Sequence, residues 1–131
     1  MQSIAALAGV VFLLVGILGF VPGITTHYGS MSFAGHGSGA RLLGVFQVSI
    51  LHNLVHLLFG VVGLVLAKTA DGARRFLIGG GALYLALWVV GLVGAAAWIP
   101  SNTAGDWAHF AFGVVLIGLG VVARRSSASS L

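Results

Sequence analysis

Four apolar runs dictate what this chain can become. They cover roughly residues 4–20, 42–67, 76–99 and 107–123, each near the ~20 residues an α-helix needs to cross a bilayer. They are continuously apolar rather than alternating, which argues against the strands of a membrane barrel. Of 131 residues, 59% are hydrophobic and only 6% charged, whereas a soluble domain carries about 25% charged residues. A chain this short has no soluble core large enough to hide so much apolar surface. The predicted fold class is therefore all-α: one integral membrane domain, residues 1–131, forming a four-helix bundle. The first run lacks a basic leading segment and a small-x-small site before Pro22-Gly23, so it reads as a retained helix rather than a signal peptide.

Charge gives the expected orientation. Lys68, Arg74 and Arg75 lie between the second and third runs, and Arg124 and Arg125 follow the fourth; only Arg41 falls on the other side. The positive-inside rule then places both termini in the cytoplasm, with a bacterial cytoplasmic membrane as the expected location. The basic residues sit at the ends of apolar runs, not on one face interleaved with aromatics, so the net charge of +4 is no nucleic-acid signal. The absence of cysteine removes disulfide, iron–sulfur and thiol chemistry.

Two loops are expected on the outer side, 22–41 and 100–106, the second flanked by Trp98 and Trp107 where an aromatic belt belongs. The first is rich in Gly, Ser and Thr and holds His27, Tyr28 and His36. By base rate it is a solvated connector, although its length exceeds the usual ~2–8 residues between helices and favours a lid. Twenty-one glycines are spread over all four runs. In lipid, small residues let helices pack closely; a flat cofactor would need the same space.

Within this setting His52-Asn53-Leu54-Val55-His56 stands out. On a wheel at about 100° per residue, Ser49, His52, His56, Gly63 and Ala67 share one stripe, with Asn53 at its edge. Asp106, His109, Gly113 and Gly120 form a matching stripe on the fourth run. Polar groups in a membrane face the bundle interior. At about 1.5 Å per residue, His52 and His56 stand about 24 and 18 Å above Lys68, and His109 and Asp106 about 22 and 27 Å above Arg124. The two stripes thus meet at one level, in the outer leaflet.

Several chemistries use such a set. Histidines at i and i+4 can share one divalent ion, and His109 with Asp106 would complete a His₃Asp or open His₃ site for zinc or copper. Asp106 could instead orient the His109 ring from outside the ligand shell. Equally, the imidazoles, Asn53 and Ser49 could bond one another across helices, each bond being worth about 0.6–2 kcal/mol, with no cofactor at all. Haem b needs one His from each of two facing helices, as His52 or His56 with His109 would supply. A zinc-protease reading fails because Asn53 stands where the general-base Glu must be. A Ser49/His52/Asp106 hydrolase lacks a nucleophile elbow. The composition Ser, Asp and three His is similar to the zinc site of membrane amide hydrolases of the alkaline-ceramidase kind, in residue types only. No acidic relay crosses the inner half, where Gly, Leu, Val and Ala surround Tyr84, so a pump or channel is disfavoured. Gln47, Ser49 and Tyr84 read first as packing or bridging residues.

The segments Ser32-Phe33-Ala34-Gly35-His36, Gly44 through Gly60 with the HNxxH motif, and Asp106-Trp107-Ala108-His109 followed by Gly113 resemble a family of small four-helix, mostly actinobacterial membrane proteins catalogued as a domain of unknown function. The resemblance covers nearly the whole chain. It implies the fold and the pairing of the second- and fourth-helix motifs, and no activity.

The expectation is a binding or accessory protein, with no catalytic residues, that holds a metal ion at His52, His56, His109 and Asp106, supported by Asn53 and Ser49. The alternatives are a structural subunit of a larger, possibly respiratory, membrane complex and a haem electron carrier. The expected partners are the lipid bilayer and either further copies of the chain or such a complex.

Overall fold

A computed structural model describes residues 1–94, 96, 99 and 102–129, from residue 123 onward by backbone alone. The elements in chain order are α1 (Gln2–Gly19), β1 (Thr25–Thr26), β2 (Arg41–Leu42), β3 (Phe46–Gln47), α2 (Ile50–Leu66), α3 (Ala70–Val93) and α4 (Thr103–Ser129). A single 3₁₀ turn, Tyr28–Ser30, lies between β1 and β2. The protein is an α-helical membrane bundle. α1, α3 and the Thr103–Val122 part of α4 are long and apolar enough to cross a bilayer, and α2 is apolar but shorter. Leu, Val and Ile cover the outward faces, for example Leu7, Leu58, Leu92 and Val122, all exposed.

Glycine sets the helix pairing. A Cβ at Gly60 would lie 2.6 Å from Leu13 Cγ and 2.7 Å from the Gly9 carbonyl oxygen, and one at Gly81 would lie 2.8 Å from the Gly113 carbonyl oxygen. α1 therefore runs antiparallel along α2, and α3 along α4, with the backbones almost touching, as membrane helices do where small residues meet. The two pairs join chiefly through α3, which meets both α1 and α2. That joint is aromatic: Phe12 stacks on Tyr84 at 5.2 Å and meets Phe59 edge-on at 4.8 Å. Phe76 seats on Gly63. At the end where both pairs are tied by short chain, the Gln2 amide donates to the Lys68 carbonyl, and Gln2 begins α1 there.

Several element boundaries differ from expectation, the third helix starting at Ala70 rather than 76 among them. The second helix begins at Ile50, not near residue 42; residues 41–47 instead supply β2 and β3. The three two-residue strands form an antiparallel sheet in the order β1-β2-β3, with Thr25 opposite Leu42 and Leu42 opposite Phe46. Gly44 at φ 73° and Leu43 at φ 56° make the tight reversal between β2 and β3, which no helix could accommodate. The third helix ends at Val93, closed by Gly94 in the left-handed conformation, and the fourth starts at Thr103. Trp98 and the Arg124 and Arg125 side chains fall outside what is described.

The long loop is not a solvated connector. Ala40, Val48 and Thr25 are wholly buried, and Thr25 Oγ1 donates to the Leu18 carbonyl at 2.9 Å. Ser38 Oγ donates to the Val48 carbonyl at 2.5 Å and accepts from Ser32 N–H. The Gln47 amide donates to the His36 and Ser38 carbonyls, both at 2.8 Å. Residues 22–49 are a folded cap on one end of the bundle. Asn102 ties α4 to it, donating to the Val45 carbonyl at 2.8 Å while its Oδ1 accepts from Gly105 N–H.

Close helix contact at Gly60 makes a direct test. Gly60→Ala should lower stability by about 1–3 kcal/mol, the cost of overpacking a filled interior, in reversible unfolding from detergent micelles. Gly118→Ala should cost nothing, because a Cβ there meets open space.

Candidate functional site

The start of α2 has no water to satisfy its first backbone N–H groups, so other parts of the chain must do so. Ile50 and Leu51 N–H donate to the Ser32 and Phe33 carbonyls of the cap, at 3.1 and 2.8 Å. Ser49 caps the helix, its Oγ accepting from His52 N–H at 3.1 Å. Ser49 thus serves the backbone, not the polar stripe. The result is a helix start pinned to the cap, with His52 in its first turn and His56 one turn further.

α2 and α4 do not pack on each other as α3 and α4 do, yet their histidines approach. The His52 ring lies 4.3 Å from His56 and 6.5 Å from His109, centroid to centroid. Tyr84 of α3 completes the group: its ring is 5.4 Å from His109, and its hydroxyl is 3.4 Å from His56 Nε2. His56 and His109 are 4% and 8% exposed. The Nδ1 atoms of His52, His56 and His109 are all buried without a hydrogen-bond partner. Buried polar atoms are nearly always paired, so three orphans in one cluster need a reason.

The other expected members sit elsewhere. Asn53, at the edge of the histidine stripe, is wholly buried. Its amide lies against Gly19 of α1, where a Cβ would collide with it, and Nδ2 reaches Met31 Sδ at 3.7 Å. Asn53 therefore belongs to the α1–α2 seam. Asp106 is also buried, one turn above His109, with its carboxylate against Gly91 of α3. It belongs to the α3–α4 seam. Among the described residues, no three His, Asp or Glu side chains converge as metal ligands in this conformation. Tyr84 was read as a packing or bridging residue. A depth count places it about 14 Å above Arg75, within a turn of His56, and that signal was available in the sequence.

The histidines form part of the wall of a cleft of about 620 Å³. Val15 and Leu18 of α1 stand on one side and Ala108, Ala111 and Val115 of α4 on the other, with Leu42, Phe46 and Val48 of the cap above. The cleft exists because α1 and α4 barely meet; their contact at Phe12 and Phe112, 5.4 Å apart, closes it below. Its volume lies in the ~300–1,000 Å³ range of small-molecule sites.

The family described as a domain of unknown function (DUF4383) matches this chain over residues 2–122, and the chain belongs to that family. No curated protein and no solved structure matches it.

Two substitutions probe how the site is held. Ser49→Ala should cost about 1 kcal/mol through loss of the α2 cap, with Ser49→Asp restoring most of it. Tyr84→Phe should cost about 0.6 kcal/mol, the mean worth of a side-chain hydrogen bond within a membrane bundle. Both are read by unfolding in micelles.

Proposed function

We propose that this protein is an intramembrane binding protein and that His52, His56 and His109 are its binding centre. The observation that carries this reading is the cluster of three histidines that line an open cleft while the Nδ1 atom of each is buried without a partner. A purely structural histidine group would be expected to spend its ring nitrogens on partners within the bundle, because an unmade buried hydrogen bond costs about 1–3 kcal/mol. Here His56 Nε2 meets Tyr84 and the His52 side chain meets Asn53, yet Nδ1 of all three rings has no partner among the described residues.

A zinc or copper ion is the second reading, favoured by ring spacing. Metal–nitrogen bonds of about 2.0–2.1 Å in a tetrahedral site put imidazole centroids about 5 Å apart, and the observed 4.3 and 6.5 Å bracket that value. Such a site would need the rings to turn toward a common point. Asp106 would support it from the α3–α4 seam rather than ligate.

What the protein retains on purification in mild detergent decides the matter. Elemental analysis and mass spectrometry of an organic extract are compared for wild type and the His52→Ala/His56→Ala/His109→Ala variant. The expected result is a stoichiometric species that wild type carries and the variant lacks. Equal content in both would return the histidines to helix packing. Zinc or copper in that species selects the metal reading, and a Soret band would assign haem.

The positive-inside asymmetry supports placing the cap outside and both termini in the cytoplasm. Because the chain has no cysteine, single-cysteine labelling tests this cleanly. Gly37→Cys, at an exposed and open position of the cap, should react with a membrane-impermeant maleimide in intact cells, and Asp71→Cys only after permeabilisation.

A further inference from the structure

We infer that the cleft between α1 and α4 takes a neutral, lipid-soluble molecule with a carbonyl-bearing head and a hydrocarbon body, the head hydrogen-bonded by the histidine cluster. This rests on reading those histidines as a binding centre, and it names the class of ligand they serve.

Three observations select that class. First, among the described residues no Asp, Glu, Lys or Arg lines the cleft. A charged head would enter apolar surroundings with no counter-charge, which is strongly unfavourable. Second, the cluster offers hydrogen-bonding atoms that no protein group uses. The Tyr84 hydroxyl has one proton, and His56 Nε2 is the acceptor within reach at 3.4 Å. When Tyr84 donates to that nitrogen, the proton of a neutral His56 ring sits on Nδ1, which becomes a buried donor lacking an acceptor. A ligand carbonyl oxygen supplies one once the ring turns its Nδ1 edge toward the cleft that it lines. A plain acyl chain would leave Nδ1 of all three histidines unmatched. Third, the rim opens sideways. Val115, 55% exposed, borders the cleft on the outer, apolar side of α4, and Leu43 of the cap, 64% exposed, borders it above. Entry is therefore from the hydrocarbon, beneath the cap, and the body of the ligand stays among Val15, Leu18 and Phe112.

The probe is a decyl-tailed benzoquinone, which has two carbonyl acceptors, with decylbenzene as a tail-matched control lacking them. Binding to the full chain in lipid nanodiscs is measured against empty discs for wild type, Ala108→Trp and Ala111→Trp. The two tryptophans fill the cleft from α4, one deep and one at the exposed edge, so the second serves if the first does not fold. One saturable equivalent per chain is expected. It should resist displacement by a tenfold excess of decylbenzene and weaken at least tenfold in a folded tryptophan variant. Equal displacement by decylbenzene would show a groove for any hydrocarbon and overturn the inference. So would equal partition into loaded and empty discs. In either case zinc binding on the same discs, with and without His52→Ala/His56→Ala, separates the two failures: zinc that depends on the histidines keeps the binding centre with a different ligand, and zinc absent from both removes the centre too.

Discussion

In hydrocarbon a polar atom has no water to fall back on, and this constraint organises the whole molecule. The shorter helix α2 starts inside the structure, and its first N–H groups are met by carbonyls of Ser32 and Phe33 and by Ser49 Oγ. The cap must therefore fold as it does for α2 to begin where it does. Buried Thr25 and Ser38 and half-buried Gln47 follow the same logic, each side chain satisfying a backbone carbonyl. Against that pairing, Asn53 Oδ1 and Trp88 Nε1 are single buried atoms without a partner among the described residues, whereas three such imidazole nitrogens gather at one place, and that clustering is what marks a site.

Glycine explains why the place exists. The seams α1–α2 and α3–α4 are closed by backbone-to-backbone approach at Gly9 with Gly60 and Gly81 with Gly113. α3 then fastens one pair to the other through Phe76 on Gly63 and Phe59 on Gly80. No comparable small-residue pair joins α1 to α4, whose facing positions carry Val15, Leu18, Phe112 and Val115. Four helices with three good seams leave a fourth side ajar. The opening is a consequence of which faces carry glycine, and the histidines of α2 and α4 look onto it.

Much of this was legible in the sequence, and the parts that were not have physical reasons. Hydropathy found the spans, because membrane helices must be apolar along their whole length. Rise per residue put His52, His56 and His109 at one height. Hydropathy could not separate Leu42–Val48 from the helix that follows, since a buried strand and a buried helix are equally apolar; the signals were Gly44 and the capping Ser49. The wheel puts Asn53 at the edge of the histidine stripe and cannot name the helix it meets. Asn53 is drawn to α1 by the space at Gly19, a contact between helices that one helix's periodicity does not contain. Likewise the α4 wheel groups Asp106 with His109, whose ring feels its charge, but does not show that the carboxylate lies against Gly91 of α3.

The cap and the cleft also constrain each other. β2 and β3 carry inward-facing Leu42 and Phe46 over the cleft and outward-facing, exposed Arg41. A two-residue register slip is opposed by Ser38 and Gln47, which hold both edges of the hairpin by side-chain bonds. The same hairpin is bonded to Asn102, which caps the helix that bears His109, while Ser49 at its end caps the helix that bears His52 and His56. One small folded element therefore fixes the starts of both histidine-bearing helices. The spacing of the three imidazoles is set from the polar end of the bundle, where hydrogen bonds are directional, and not by the glycine seams, which leave α2 and α4 apart. A change in the cap would reach the site through those two helix starts before it disturbed any packing between the spans.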